Sequence, residues 1–326
     1  MSRGVRVTVL IPCHSLEYLE QSIKSIEEQT LSADEFEILL ITDRIDLYEA
    51  TLVLDKFKVN HRIIESKKPG IVEALNLGLR NITSKYVARM DEDDVMMPNR
   101  LEQQLNYLES NENVLAVGGQ INFIDDTGVR IGRDFHRKKI KLKDSHLLTA
   151  SPIAHPAVMF RVASVAKVGG YRDFLPEDWD LWVRLREIGR IENLHSTVLK
   201  YRIHPKQLSR EKMYSKWMGS QYVATSYFAR QYNITDQPQV DQSPASWLED
   251  TQRKLRRVSK RYIKFEKQSI QFKEIEYIRE LVQTRQRKIK TIKIGLKHPV
   301  LLSRYFIPKL YKKFKTFFLK FDKVYE

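Results

Sequence analysis

The chain of 326 residues has little cysteine and no long apolar run. Its one cysteine, Cys13, excludes an internal disulfide and favours a reducing compartment, so we expect a cytoplasmic protein. A membrane-spanning helix needs about 18 consecutive apolar residues, and the sequence predicts none. The first residues lead directly into a strand pattern that contains Pro12, which is unlike a secretory signal.

Two glycine-rich phosphate-binding motifs are also missing. The first predicted strand is followed by Pro12-Cys13-His14-Ser15 and not by GxGxxG, which argues against a dinucleotide-binding fold. No GxxxxGK[ST] segment occurs, so a P-loop is not expected. At 42% hydrophobic and 30% charged residues, the composition is that of a globular protein.

Positive charge is in excess and is unevenly placed. The chain has 56 Lys+Arg and 41 Asp+Glu, so its formal charge is 56 − 41 = +15. Residues 1–210 hold 30 of each kind, whereas residues 211–326 hold 26 and 11, so the whole excess lies in the second part. A basic tail of this kind is either a solvated helical surface or attracts an anionic partner.

The first 120 residues alternate apolar strands with helix patterns, which predicts βαβ units and a mostly parallel sheet. Later residues add a strand at Ala157–Phe160, a helix at Asp180–Glu187, a strand at Val198–Ile203 and a long helix from Ser246. A helix is also expected at Pro98–Ser110, with Pro98 in its first turn. The early strands are predicted at Val5–Ile11, Phe36–Ile41, His61–Glu65, Tyr86–Met90 and Val114–Val117.

An acidic run, Asp91-Glu92-Asp93-Asp94, follows the fourth predicted strand. Ligands bind beyond the carboxyl ends of strands in such sheets, and clustered carboxylates repel one another unless a cation is present. Oxygen ligands suit Mg²⁺ or Mn²⁺, so the run predicts a metal and phosphate site. The alternative is a solvated acidic loop with helix-capping residues.

A second acidic segment, Glu177-Asp178-Trp179-Asp180, opens a helix downstream of Gly169-Gly170-Tyr171. Acidic residues are common at helix N-termini, so capping is one interpretation. The other is a general base near the metal site, with Asp178 the best candidate.

Taken in order, these segments resemble the motifs of family 2 glycosyltransferases of the GT-A fold, in particular bacterial enzymes that build surface polysaccharides. The resemblance covers about residues 5–210. The segments that carry it are Val9-Leu10-Ile11-Pro12, residues 70–78, residues 89–94 with 98–101, residues 154–161, Gly169-Gly170-Tyr171, residues 177–182, and Tyr201-Arg202-Ile203-His204.

The resemblance implies a role for each matched residue. Asp43 would contact the base or ribose of a nucleotide-sugar donor, Asp93 would be the direct ligand of Mn²⁺ or Mg²⁺, and Asp178 would deprotonate the acceptor hydroxyl. It also implies further metal ligands in Asp91 and His204, donor contacts from Pro12, Gly70, Asn76, Asp91 and Glu92, and an acceptor side formed by Gly170, Tyr171, Glu177 and Trp179.

Two segments depart from the family pattern. His14-Ser15 stands where the family often has Tyr-Asn, and Asp43 is followed by Arg44-Ile45-Asp46 where the family often has a second Asp and then Gly-Ser. These departures concern base recognition more than catalysis.

The implied reaction is a metal-dependent transfer of a sugar, with a UDP-sugar as the expected donor, to a hydroxyl of a glycan or lipid-linked glycan. One base and no protein nucleophile imply a single displacement with inversion. A nucleotidyltransferase with a related fold and a non-catalytic sugar-nucleotide-binding scaffold are the alternatives. A nucleotidyltransferase would show a glycine-rich basic signature after the first strand, which this sequence lacks. The intact Asp93 and Asp178 argue against a non-catalytic scaffold.

The last residues predict a basic amphipathic helix. Apolar and aromatic residues share one stripe of residues 300–323 while lysines occupy much of the rest, which fits an anionic membrane surface. The alternative is a helix packed on its own domain with lysine heads in water. No nucleic-acid motif is found, so nucleic acid is not an expected partner, whereas oligomers formed through the long helices are possible.

The expected organisation is a single GT-A glycosyltransferase domain at residues 1–210 and a helical, basic region at residues 211–326. The first comprises a nucleotide-sugar-binding half at about 1–118 and an acceptor-binding half at 119–210. The expected location is the cytoplasm, peripheral on the inner face of the cell membrane.

Overall fold

The computed structural model describes residues 4–132, 148, 151, 153–173, 176–204, 213–239 and 241–269. The chain divides into two compact units, Met1–Glu211 with Met218–Tyr227, and Lys212–Trp217 with Phe228–Glu326. All of the predicted site residues lie in the first unit. The predicted boundaries within residues 1–210 stay a prediction.

A sheet of eight strands forms the centre of the first unit. The strands are β1 (Val7–Cys13), β2 (Phe36–Thr42), β3 (His61–Glu65), β4 (Tyr86–Arg89), β5 (Val95–Met96), β6 (Val114–Ile124), β7 (Met159–Arg161) and β8 (Arg190–Arg202). The helices of this unit are α1 (Leu19–Glu27), α2 (Leu47–Leu54), α3 (Ile71–Arg80), α4 (Arg100–Glu109), α5 (Val162–Lys167) and α6 (Glu177–Ile188), with a 3₁₀ turn at His155–Ala157.

The strand order is β3-β2-β1-β4-β7-β6-β8-β5. Strands β3, β2, β1 and β4 are mutually parallel, β7 runs antiparallel between β4 and β6, and β8 is parallel to β6 and antiparallel to β5. This mixed, mostly parallel sheet confirms the predicted α/β class. Because β1, β2 and β4 are parallel neighbours, the loops that follow them emerge at one edge.

Helices cover both faces of the sheet because successive side chains of a strand point to opposite sides. Val9 and Ile11 of β1 join one buried cluster with residues of α1, α2 and α4, whereas Leu10 joins a second cluster with residues of α3, α5 and α6. This double cover explains why the central strands read as continuous apolar runs in the sequence.

Several predicted boundaries were wrong. Strand β6 extends to Ile124 and β8 begins at Arg190, although glycines and polar residues interrupt the apolar pattern there. Gly119 is required inside β6 because a Cβ at this position would lie 2.5 Å from Cγ1 of Val198. Pro98 precedes α4, which begins at Arg100 with Asn99 as its N-cap residue.

The described part of the second unit is helical. Helix α7 (Met213–Gln231) contributes its first and last residues to this unit. Helix α8 (Pro244–Val258) ends before Ser259 and is followed by helical residues 260–269. The Ser243 side chain caps α8 by accepting a hydrogen bond from the Ser246 N–H. Within the described ranges, no helix has both the length and the apolar character that crossing a bilayer requires. The basic segment 133–143 and the predicted helix at 300–323 lie outside the described residues.

Candidate active site

The loops after β1, β2 and β4 are tied together at the sheet edge. The backbone N–H of His14 donates to Oε1 of Glu92 at 3.0 Å, and the His14 ring Nδ1 lies 3.1 Å from Oδ1 of Asp43. The second oxygen of Asp43 accepts from the Gly70 N–H at 2.9 Å. The structure therefore brings together three residues of the predicted donor side, whereas Pro12 is buried within β1.

The Asp43 carboxylate is held in its ionised form. Burial by itself would raise the pKa of Asp43, but the Gly70 amide, His14 and Arg44 outweigh it, and the pKa is lowered. His14 was known from the sequence only as a departure from the family pattern. Its contacts to two other loops could not be read from the sequence because His14 and Glu92 are 78 residues apart.

The acidic run forms a compact oxygen cluster. Carboxylate oxygens of Asp91, Asp93 and Asp94 lie within 4.8 Å of one another. Asp94 is fully buried, and its Oδ2 has no hydrogen-bond partner among the described residues. Burial and the neighbouring carboxylates raise the pKa of Asp93 and of Asp94. A divalent cation would relieve this repulsion, so the donor set fits Mg²⁺ or Mn²⁺.

His204 lies beside this cluster and contacts it through Asp93. Its Nε2 is 2.8 Å from Oδ2 of Asp93, and its ring packs against Tyr18 at a centroid distance of 5.2 Å. The structure thus brings together His204 and Asp93, which the resemblance assigns to one metal.

Arg202 holds the acidic loop in place, a role the sequence reading missed. Its side chain is buried and donates to the backbone oxygens of Asp93 at 2.7 Å and of Asp125 and Asp126 at 3.0 Å each. Its backbone N–H donates to Oδ1 of Asp94 at 2.9 Å. The only available signal was the position of Arg202 two residues before His204.

Arg89 interacts with both acidic segments. Its side chain is 4% exposed, and Nη2 is 2.6 Å from Oδ1 of Asp91. Its Nε and Nη1 have no hydrogen-bond partner among the described residues. Burial raises the pKa of both Glu177 and Asp178, and the Arg89 charge opposes this increase. One buried cation therefore acts on both acidic segments.

Glu177 and Asp178 lie in the first turn of α6. The Ser151 hydroxyl is 3.4 Å from Oδ2 of Asp178, a long hydrogen bond. Burial, followed by the charge of Asp178, raises the pKa of Glu177 to about 7, and burial also raises the pKa of Asp178. Two neighbouring carboxylates of this kind take up their first proton at a higher pH than isolated ones, which suits a general base.

Asn76 joins the glycine loop to α3. Its Nδ2 donates to the Tyr171 carbonyl and its Oδ1 accepts from the Tyr171 N–H, both at 2.9 Å. The sequence placed Asn76 on the donor side, whereas its side-chain amide here holds the segment that was assigned to the acceptor side. Tyr171 is buried, and its hydroxyl lies 2.9 Å from Nε2 of His155.

Two further residues near α6 belong to the interior. Trp179 is buried among apolar side chains of the second cluster, which does not favour the acceptor contact predicted for it. Burial lowers the pKa of His155 well below its usual range, so the ring is neutral, which suits a structural role.

Gly170 provides a test of the Asn76 contact. Its φ is +71°, and a Cβ would lie 2.7 Å from Oδ1 of Asn76. We expect Gly170→Ala to lower the free energy of unfolding by about 2–4 kcal/mol, from backbone strain and overpacking. Gly169, with φ of +82° and open space around it, is the matched control, and Gly169→Ala should cost about 1 kcal/mol. Equal losses in urea unfolding would contradict the role given to Asn76.

Comparisons with known proteins agree with this geometry. Residues 8–169 match the family described as "Glycosyl transferase family 2". The amylovoran biosynthesis glycosyltransferase AmsE of Erwinia amylovora is 33% identical over 193 residues, which are 57% of this chain and 71% of that protein. The O-antigen biosynthesis glycosyltransferase WbnJ of Escherichia coli is 31% identical over 239 residues, 69% of this chain and 88% of that protein.

A solved structure shows the same fold. The crystal structure of S. aureus TarS 1-349 in complex with UDP-GlcNAc has a TM-score of 0.55 at 14% identity, covering 70% of this chain and 73% of that chain. The predicted GT-A fold is therefore confirmed. The family match and the relatives named as glycosyltransferases set aside both alternatives, a nucleotidyltransferase and a non-catalytic scaffold. The chain belongs to glycosyltransferase family 2 and is an inverting glycosyltransferase.

Proposed function

We propose that this enzyme transfers a sugar from a UDP-sugar to a hydroxyl of a glycan or lipid-linked glycan during synthesis of a bacterial cell-surface polysaccharide. The observation that carries the proposal is that one sheet edge brings Asp43 and the Asp91–Asp93–Asp94 cluster together, with Arg89 linking that cluster to Asp178. The names of AmsE and WbnJ support the polysaccharide context, and the UDP-GlcNAc bound to TarS supports the donor class.

Mn²⁺ or Mg²⁺ is the proposed cofactor, with Asp91 and Asp93 as ligands and His204 as a further ligand. When bound, the cation neutralises charge that develops on the departing diphosphate. Asp43 and the Gly70 loop would bind the nucleoside end of the donor, with Glu92 supporting that loop through His14.

Asp178 is the proposed base. It takes the proton of the acceptor hydroxyl while that oxygen bonds to the anomeric carbon and the bond from this carbon to the diphosphate breaks. Attack on the face opposite the leaving group inverts the anomeric centre. Ser151 and Arg89 stabilise the ionised form of Asp178, and both effects oppose the increase in pKa that burial causes.

A calorimetric titration of UDP and GDP, each with and without Mn²⁺, tests the donor and the metal together. We expect UDP to bind in the presence of Mn²⁺ and to bind at least tenfold more weakly without it, while GDP binds weakly in both cases. Preference for GDP, or binding of neither nucleotide, would overturn the assigned donor class.

The pH dependence tests the carboxylate pair. The pKa of Glu177 is raised to about 7 and the pKa of its neighbour Asp178 is also raised, so we expect kcat/KM to fall as the pH drops below 7. Glu177→Gln removes one of the two charges, so the fall should occur at lower pH while activity above pH 7 is retained. Glu187→Gln, an exposed position on the same helix, should leave the profile unchanged. The same midpoint in wild type and Glu177→Gln would contradict the coupling.

The proposed location is the cytoplasm, peripheral on the inner face of the membrane, where a lipid-linked acceptor would be available. The membrane contact through residues 300–323 stays a prediction, as does oligomer formation.

A further inference from the structure

A row of exposed cations runs along the helices of the second unit. The row consists of Arg253, Arg257, Lys260, Lys264 and Lys267, and we call it the basic stripe. Arg253 and Arg257 lie four residues apart on α8, and Lys260, Lys264 and Lys267 recur at steps of four and three residues on the helical segment 260–269, so each group shares one face of its own helix. Ser259, whose backbone is extended, separates the two helical segments.

The opposite side of these helices is buried. Leu255 and Tyr262 are inaccessible to solvent, and the Tyr262 ring packs against Phe228 at a centroid distance of 5.4 Å. Phe265 also contacts Phe228, at 5.9 Å. This packing fixes which side of the helices faces outward, so the basic stripe lies on a solvent-facing surface.

The stripe has a strong net charge. Residues 253–267 contain eight Lys+Arg and one acidic residue, Glu266, which gives 8 − 1 = +7. Glu266 pairs with Arg256, and Asp250 pairs with Arg253. Arg257, Lys260 and Lys264 have no ionic partner among the residues that the structure describes. An unneutralised row of this kind attracts an extended anionic surface.

We propose that the basic stripe docks the enzyme on an anionic phospholipid bilayer. Long, exposed cationic side chains, three of them without an ionic partner among the described residues, suit a flat layer of phosphate headgroups, and Val258, 55% exposed, adds apolar contact. Single-stranded nucleic acid is less well matched, since it requires exposed rings for stacking. The aromatic residues of 244–269 are Trp247 and Tyr262, which are buried, and Phe265, which packs on Phe228.

The choice of a bilayer rests on the proposed function, because a lipid-linked acceptor would hold the substrate at a membrane surface. The docking surface itself is argued from residues remote in sequence from the site residues. Its test therefore measures binding to lipid and not sugar transfer.

The experiment is co-sedimentation of the full chain with vesicles of phosphatidylglycerol mixed with phosphatidylcholine, compared with vesicles of phosphatidylcholine alone. We expect binding to the anionic vesicles only. The triple variant Arg257→Glu, Lys260→Glu, Lys264→Glu should lower that binding by roughly 100-fold or more, at about fivefold for each cation removed. The control variant Lys24→Glu, Lys58→Glu, Lys67→Glu makes the same change in net charge at exposed positions of the first unit and should have a much smaller effect.

Three results would overturn the proposal. Equal losses in the two triple variants would show attraction to overall charge and not to the basic stripe. Unchanged binding of the stripe variant would assign the contact to other residues. Absence of vesicle binding by the wild type, with or without binding to an RNA probe, would exclude the bilayer.

UDP titration of the same proteins separates this proposal from the proposed function. We expect the stripe variant to bind UDP with the wild-type affinity, which also shows that it is folded. Vesicle binding without UDP binding would count against the donor, and UDP binding without vesicle binding would count against the stripe.

Discussion

Replacing Asp93 by Asn is expected to lower kcat/KM by roughly 10³-fold, about 4 kcal/mol in the transition state. Asp93 is the proposed direct ligand of the divalent cation, and Asn removes the charge while keeping the side-chain shape. In a calorimetric titration, the Asp93→Asn variant should also lose metal-dependent UDP binding. Stability should not fall, because the pKa of Asp93 is raised by burial and by Asp91, so that removing its charge relieves repulsion.

The combination of lost function and retained stability distinguishes a ligand from a structural residue. Asp46→Asn is the matched control: Asp46 caps α2 near the same edge, and Asn caps helices equally well. This variant should retain wild-type activity and UDP binding. If Asp93→Asn bound UDP with unchanged dependence on Mn²⁺, the proposed metal site would be wrong.

Replacing Asp178 by Asn is expected to lower kcat by roughly 10³-fold, within the range that general base catalysis supplies. Asp178 and the acidic run lie on different segments, so UDP binding and its metal dependence should be retained. The two variants should therefore have different defects. Asp93→Asn should lose metal-dependent UDP binding, whereas Asp178→Asn should keep UDP binding and lose only the chemical step. Single-turnover assays together with UDP titrations would measure both quantities.

Asp173→Asn is a suitable control for this second prediction, because Asp173 is exposed and precedes the same helix. It should retain wild-type kcat. A fall in kcat of less than tenfold for Asp178→Asn would exclude Asp178 as the base, and Glu177 would be the next carboxylate to test.

The early strands could be predicted because they are apolar throughout. Strands β1, β2 and β4 are covered by helices on both faces, so burial itself leaves a continuous signal in the sequence. For β6 and β8, only a short apolar part of each strand could be predicted from the sequence. Gly118 and Gly119 interrupt β6, and β8 has irregular register with β6, so their lengths depend on pairing that a local pattern does not contain.

The acidic residues of the site could be predicted, but their supporting residues could not. Asp91, Asp93 and Asp178 occur in dense local motifs. Arg202 and His14 act through contacts to residues far away in the chain, such as the 109-residue separation between Arg202 and Asp93. No local feature distinguishes such an arginine or histidine from one on the surface.

The sequence by itself determined the α/β class, the family and the carboxylates proposed to act in transfer, because each leaves a local pattern of apolar runs or clustered charges. Only the tertiary structure decided how Arg89 couples the two acidic segments, that Asn76 holds the Tyr171 loop, and that the cations of the basic stripe are exposed on both sides of Ser259. These are properties of distance, burial and direction, and they exist only once distant segments pack together.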